Sequence, residues 1–130
     1  MYSKILVPID LSHPDKGSAM INIAKSLAGM DLRLILVNIV EDVPQYVARD
    51  VPTRIIEAQK KSAAMSLEAI AQNAGVEAVV EVRSGQPADE ILSVAKGYDV
   101  HLIIIASRHL LGSTAVHVVR HAKCPVLVER

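Results

Sequence analysis

The chain has 130 residues, enough for one folded domain and short for two. Apolar residues make up 51% and charged residues 22%, which supports a buried core and excludes intrinsic disorder. The 14 basic and 14 acidic side chains cancel, and aromatic content is three Tyr with no Phe or Trp; nothing here favours a nucleic-acid backbone, stacked bases or an anionic membrane surface.

In chain order, Ser3–Ile9 is a short apolar, β-branched run of the kind buried on both faces of a sheet. Met20, Ile23, Ala24 and Leu27 follow at helical spacing, with Gly29 as the expected stop. Leu32–Val40 predicts a second buried strand. Glu41–Pro52 carries Val43-Pro44 and Val51-Pro52, and a residue before proline avoids the helical region, so this stretch predicts a loop. The longest helix is expected over Thr53–Asn73, striped by Ile56, Ala63, Leu67, Ile70 and Ala74 and closed by Gly75. Val76–Val82 predicts a third strand. Pro87 opens a helix with Asp89 and Glu90 in its first turn, Ala88, Ile91, Leu92 and Ala95 on its core face, and Gly97 at its end. His101–Ala106 predicts the fourth strand. Ala115, Val118, Val119 and Ala122 stripe a last helix opened by Gly112-Ser113-Thr114 and stopped by Cys124-Pro125, and Val126–Val128 predicts a fifth strand.

Strands alternating with helices across short connections predict an α/β fold: an open five-stranded parallel sheet with helices on both faces, Rossmann-like, one domain over 1–130. The opening Met1-Tyr2-Ser3-Lys4 and the brief apolar run after it lack the shape of a signal peptide, and charged or polar residues break every apolar run well before ~18 residues. Cys124 is the one cysteine and cannot form an internal disulfide. A cytoplasmic protein with no membrane and no nucleic-acid partner is expected.

Open parallel sheets bind ligands beyond the C-terminal ends of their strands, where strand order reverses. The residues expected there are Asp10, Val37 and Asn38, Arg83 and Ser84, and Ala106 to Thr114. Several readings fail on these positions. There is no Gly-Lys-Ser/Thr phosphate loop, no G-x-G-x-x-G and no G-x-S-x-G elbow. A phosphorylated receiver would need an acidic cluster after the first strand and an aspartate after the third, where Arg83-Ser84 stands. A flavin site would need aromatics this stretch lacks.

The segment Ala106-Ser107-Arg108-His109-Leu110-Leu111-Gly112-Ser113-Thr114 remains. It precedes a helix N-terminus, whose open N–H groups and partial positive charge suit a phosphate, with hydroxyls from Ser113 and Thr114 and a charge from Arg108. A serine at this place is more often a plain helix cap, and that reading stands beside the anion site. Asp10, ahead of Ser12-His13-Pro14, reads either as a turn residue bonding nearby N–H groups or as an acceptor for a ribose hydroxyl or an adenine amino group. His117 and His121 share a helical spacing suited to a metal, but the apolar stripe sets them towards solvent and further ligands are missing, so no metal site is expected. Cys124 reads as a small apolar core residue.

These residues resemble the universal stress protein family. Tyr2-Ser3-Lys4-Ile5-Leu6-Val7-Pro8-Ile9-Asp10 is similar to its first strand. Similar too are Leu102-Ile103-Ile104-Ile105-Ala106-Ser107, Leu110-Leu111-Gly112-Ser113, and the closing Val118-Val119-Arg120-His121-Ala122-Lys123-Cys124-Pro125-Val126-Leu127-Val128. The resemblance implies the five-stranded fold and an adenine nucleotide, ATP or AMP, as ligand, with or without Mg2+. By position it implies an adenosine pocket of Pro8, Ile9 and Asp10, with Val37 and Ile105 against the base. Ala106, Ser107 and Arg108 would border the phosphates, and Gly112, Ser113 and Thr114 would hold them. It also implies a homodimer through Val126, Leu127 and Val128, whose edge would invite a partner strand.

One departure stands out. Nucleotide-binding members show G-x-x-G-x9-G-[S/T] here, whereas Ala106 and His109 replace the first two glycines and Leu110 and Leu111 alone separate His109 from Gly112. Either the loop is shortened and binding impaired, or part of it is absent from this sequence; the family-like flanks on both sides favour the second. The expected function is a stress-response protein binding an adenine nucleotide, the alternative a non-nucleotide interaction module of the same fold. With no catalytic residues in view, neither paired carboxylates nor a placed lysine, ATP hydrolysis would be slow at most.

Overall fold

The computed structural model describes residues 2–40, 52–107 and 112–130. Of the expected Val-Pro loop it describes Pro52 alone, and Arg108, His109, Leu110 and Leu111 also lie outside the described residues. The elements are β1 (Tyr2–Pro8), α1 (Pro14–Leu27), β2 (Ala28–Val40), α2 (Thr53–Asn73), β3 (Ala78–Ser84), α3 (Pro87–Tyr98), β4 (Leu102–Ala106), α4 (Ser113–His121) and β5 (Val126–Glu129). The strands form one parallel sheet in the order β3-β2-β1-β4-β5. This is the predicted α/β architecture.

The continuous apolar runs have a direct cause. Alternate side chains of each central strand leave opposite faces, and both faces are covered. Ile5, Val7, Leu34, Leu36, Leu102 and Ile104 pack with Met20, Ile21 and Ala24 of α1 and Leu67 and Ala71 of α2. Leu6, Ile35, Val37, Ile103 and Ile105 pack with Ala88, Ile91 and Val94 of α3 and Ala115 and Val118 of α4. Crossovers of one hand require this division. The chain steps outwards from β1 to β3 with its helices on one face, then steps the other way through β4 and β5 with its helices on the opposite face. Strand order therefore reverses between β1 and β4.

Several boundaries differ from the sequence reading. Gly29 does not stop α1: the helix ends at Leu27, Ala28 is already extended, and Gly29 lies inside β2. Gly97 sits within α3, which closes instead at Asp99 in the left-handed conformation (φ 53°). The Asp99 and Val100 N–H groups donate to Lys96 and Ala95 carbonyls, the bonding of a closing turn that glycine usually makes and aspartate tolerates. Gly75 does take that role for α2, with φ 70° and the Val76 N–H reaching back to the Ala71 carbonyl at 3.1 Å. The last helix ends at His121, before Cys124-Pro125. β3 begins two residues later than expected, at Ala78, and runs to Ser84, while β5 extends to Glu129. Within the stripes, Ile21 and Ala71 are buried and were missed, and Val119 is 51% exposed rather than core.

Candidate functional site

Beyond the C-terminal ends of β1 and β4, where the sheet's order reverses, a crevice of about 590 Å³ opens. Its apolar base is Val37, Ile9 and Ile105, each nearly inaccessible to solvent. Two bonds tie the segment that follows β1 to the end of β2. The Ile9 N–H donates to the Val37 carbonyl at 2.8 Å, and the Asn38 side-chain amide donates to the Ile9 carbonyl at 2.9 Å. They hold Asp10, which is exposed, at the mouth of the crevice.

Asp10 makes the turn expected of it: its Oδ1 accepts from the Ser12 N–H at 3.0 Å and from the Ser12 hydroxyl. The His13 N–H donates to the Asp10 carbonyl at 3.0 Å and the Lys16 N–H to the His13 carbonyl at 3.2 Å, so the turn runs straight into α1. Pro14 stands at the start of that helix with Asp15 in its first turn, a favourable arrangement for an N-terminus. Gly17 lets α1 press on the base; a Cβ there would meet Ile9 Cγ2 at 3.1 Å.

On the opposite wall, Ser107 is buried, and its N–H donates to the Glu129 carbonyl of β5 at 2.8 Å. Its hydroxyl accepts a long bond, 3.4 Å, from the Gly112 N–H. Gly112, not Ser113, is the N-cap of α4, and as a glycine it brings no side-chain cap; the helical bonding begins with the Val116 N–H to the Gly112 carbonyl at 3.0 Å. The cap reading of Ser113 is thereby corrected. Ser113, Thr114 and Ala115 occupy the first turn, whose N–H groups no carbonyl of the helix can take, and all three line the crevice.

Of the residues expected from sequence, Pro8, Ile9, Asp10, Val37, Ile105, Ala106, Ser107, Gly112, Ser113 and Thr114 line this one crevice. Arg108 lies outside the described residues. Arg83 and Ser84, also expected near the strand ends, do not line it: Arg83 pairs with Glu81 at 3.4 Å and Glu90 at 3.9 Å on the β3 edge. Sequence reasoning missed His13, Lys16, Gly17 and Met20. Their spacing of i, i+3, i+4, i+7 was legible, since it continues the stripe of α1 back towards Asp10. Among the described lining residues Lys16 is the one Lys or Arg and Asp10 the one carboxylate.

The remaining sequence candidates lie elsewhere. His117 and His121 stack with ring centroids 4.5 Å apart, and His117 Nε2 sits 3.5 Å from Asp89 Oδ1. Among the described residues no three His, Cys, Asp or Glu gather to hold a metal. Burial pushes the Cys124 thiol above its ordinary pKa, which disfavours the reactive thiolate. No helix among the described residues is long and apolar enough to cross a membrane.

The family model of the universal stress proteins matches residues 1–130. Universal stress protein A homolog 2 of Coxiella burnetii is 35% identical, with 99% of this chain and 95% of that one covered. That alignment runs over 144 positions against 130 residues here, so the relative carries residues this chain lacks. Among solved structures, universal stress protein UspA from Lactobacillus plantarum superposes with a TM-score of 0.78 at 26% identity, covering 99% of this chain and 98% of that one. Two more distant structures share the fold. One, from Archaeoglobus fulgidus in complex with dAMP, has a TM-score of 0.73 at 21% identity and covers 99% and 98% of the two chains. The other, in complex with cAMP, has a TM-score of 0.68 at 18% identity and covers 99% and 97%.

Proposed function

Because the chain belongs to the universal stress protein family, we propose that its crevice binds an adenine nucleotide and that the protein acts as a cytoplasmic stress-response regulator. The observation that carries this reading is the convergence of an apolar base, a carboxylate and a helix N-terminus on one cavity at the sheet's reversal point. In this arrangement the adenine ring lies on Val37 and Ile105, Asp10 accepts from the ribose, and the phosphate meets Ser113 and Thr114 at the start of α4. The dAMP and cAMP complexes of related folds support the ligand class. Mg2+ is an accessory to phosphate binding in this reading, not part of the protein. Any hydrolysis is slow, since the described lining residues bring together no pair of carboxylates and no lysine beyond Lys16.

Calorimetric titration with adenosine and adenine nucleotides tests it. Ser113→Ala removes a hydroxyl donor to a charged group, a bond worth about 1.5–3 kcal/mol. Nucleotide affinity should fall by roughly tenfold or more while adenosine is spared. If neither adenosine nor any adenine nucleotide gives heat, nucleotide binding is refuted, and the interaction-module reading, favoured by the short connection from Ala106 to Gly112, replaces it.

The same reading includes a homodimer through β5. This strand lies at the sheet edge, and Val128 is 40% exposed on it. Its outer N–H and C=O groups suit pairing with the same strand of a second copy about a two-fold axis. Light scattering at micromolar concentration should return the dimer mass; the monomer mass would rule it out.

A further inference from the structure

We propose that Gly17 is a positioning residue of the crevice: the Cβ it lacks keeps the Ile9 side chain drawn back, so that the crevice stays deep enough for a purine base. The inference rests on the nucleotide reading above and adds the residue that sets the depth of the base pocket, with the cost of that depth to the fold.

The first argument is conformational. Gly17 is the fourth residue of α1 and is buried. Among the described residues positive φ occurs at Gly75 and Gly85 but not at Gly17, so its backbone is one that any residue adopts. A helical glycine of this kind costs stability relative to alanine, because it has more freedom to lose on folding. The helix itself gives no reason for glycine here.

The second argument is contact. The three atoms that a Cβ on Gly17 would meet first all belong to Ile9: Cγ2 at 3.1 Å, Cδ1 at 3.3 Å and Cγ1 at 3.5 Å. The first two lie inside the ~3.5–4.0 Å at which carbon atoms pack. Ile9 would have to give by a few tenths of an ångström. Its backbone is pinned to β2 through the Val37 carbonyl and the Asn38 side-chain amide.

The third argument is the direction of that shift. Ile9 packs in the core with Met20 and Ile21, both almost wholly buried, and a close-packed interior has no room for a displaced side chain. The open side of Ile9 is the crevice it lines. A larger residue at position 17 therefore pushes Ile9 into the space above Val37 and Ile105, where the base lies. Glycine gives up helix stability and keeps that space free.

Urea unfolding and calorimetric titration with adenosine and AMP, on wild type, Gly17→Ala, Ile9→Val and the double variant, test the proposal. Gly17→Ala should unfold at a urea concentration no lower than wild type, since the helix gains and Ile9 moves into open space. It should nevertheless bind adenosine and AMP about tenfold more weakly, by the same factor, because both carry the base. In the Ile9→Val background the same change should cost at most about threefold, as the shorter side chain has one carbon fewer to push into the crevice. A lower urea midpoint for Gly17→Ala would assign the glycine to the fold instead. That result, undiminished binding in Gly17→Ala, a loss confined to AMP, or a loss that persists in full in the Ile9→Val background would each overturn the proposal and leave nucleotide binding intact. Absence of heat with both ligands in the wild type would overturn the underlying nucleotide reading as well.

Discussion

Replacing Asp10 by alanine removes two things at once, and the structure separates them. The carboxylate holds the turn into α1 by accepting from the Ser12 N–H and hydroxyl, so its loss should cost the fold about 1 kcal/mol. It is also the proposed ribose acceptor. A hydrogen bond to a charged group is worth about 1.5–3 kcal/mol, which corresponds to a loss of roughly ten- to hundredfold in affinity. Because the partner is the nucleoside, adenosine and AMP should weaken by the same factor. Asp10→Asn keeps an oxygen for the turn but gives up the charge; its stability should recover while its affinity stays between wild type and Asp10→Ala. Urea unfolding reads the first quantity and calorimetric titration the second. Adenosine binding unchanged in Asp10→Ala, or affinity in Asp10→Asn restored to the wild-type value, would refute the charged ribose contact.

Two further outcomes concern the scaffold. Leu67, fully buried between α2 and the sheet, should cost about 2–5 kcal/mol on truncation to alanine, read as a lower urea midpoint; a loss below about 1 kcal/mol would show that this face repacks. Tyr98 donates to Glu81 Oε1 at 2.6 Å, and that bond, with partial burial, raises its pKa above the ordinary value near 10. A raised folded pKa means that the contribution is fully present below about pH 10 and lost as pH climbs through the folded value. Tyr98→Phe should therefore be less stable than wild type at pH 7, with the difference shrinking in alkali; a difference that grows with pH would contradict the assignment.

The strands were legible because burial on both faces leaves runs such as LILV and LIII with almost no polar interruption, and their alternation with helices implied a parallel sheet. Helix ends were read less well, and the reason is specific. Glycine is the expected terminator, but at the end of α3 an aspartate accepts the left-handed conformation, and α1 passes into extended chain without needing one. The crevice was legible at Asp10, Val37 and Ser113, which follow from strand ends and a helix start. It was not legible at Lys16, because a lysine in the first turn of an amphipathic helix reads as a solvated residue until the sheet order places that turn beside β1. The mistaken core assignment of Val119 has a similar origin. Helical spacing defines a face, but only the packing of α4 against β4 and α3 determines how wide a strip of that face is covered.

The strand order also bears on how the chain assembles as it is made. β1 pairs along most of its length with β2, its near neighbour in sequence, but its other edge is met by Leu102 and Ile103 of β4, nearly a hundred positions away. A ribbon of β1, α1, β2, α2 and β3 can form from local contacts early, whereas closing the distant pairing bears a larger entropy cost. Until α3 and β4 arrive, Leu6, Ile35 and Val37 lie bare on one face and β1 has an open edge, a surface prone to wrong pairing. The join between β1 and β4 brings the two walls of the crevice together and draws on residues nearly a hundred positions apart, so a nascent chain cannot offer the complete binding site until nearly all of it has been synthesised.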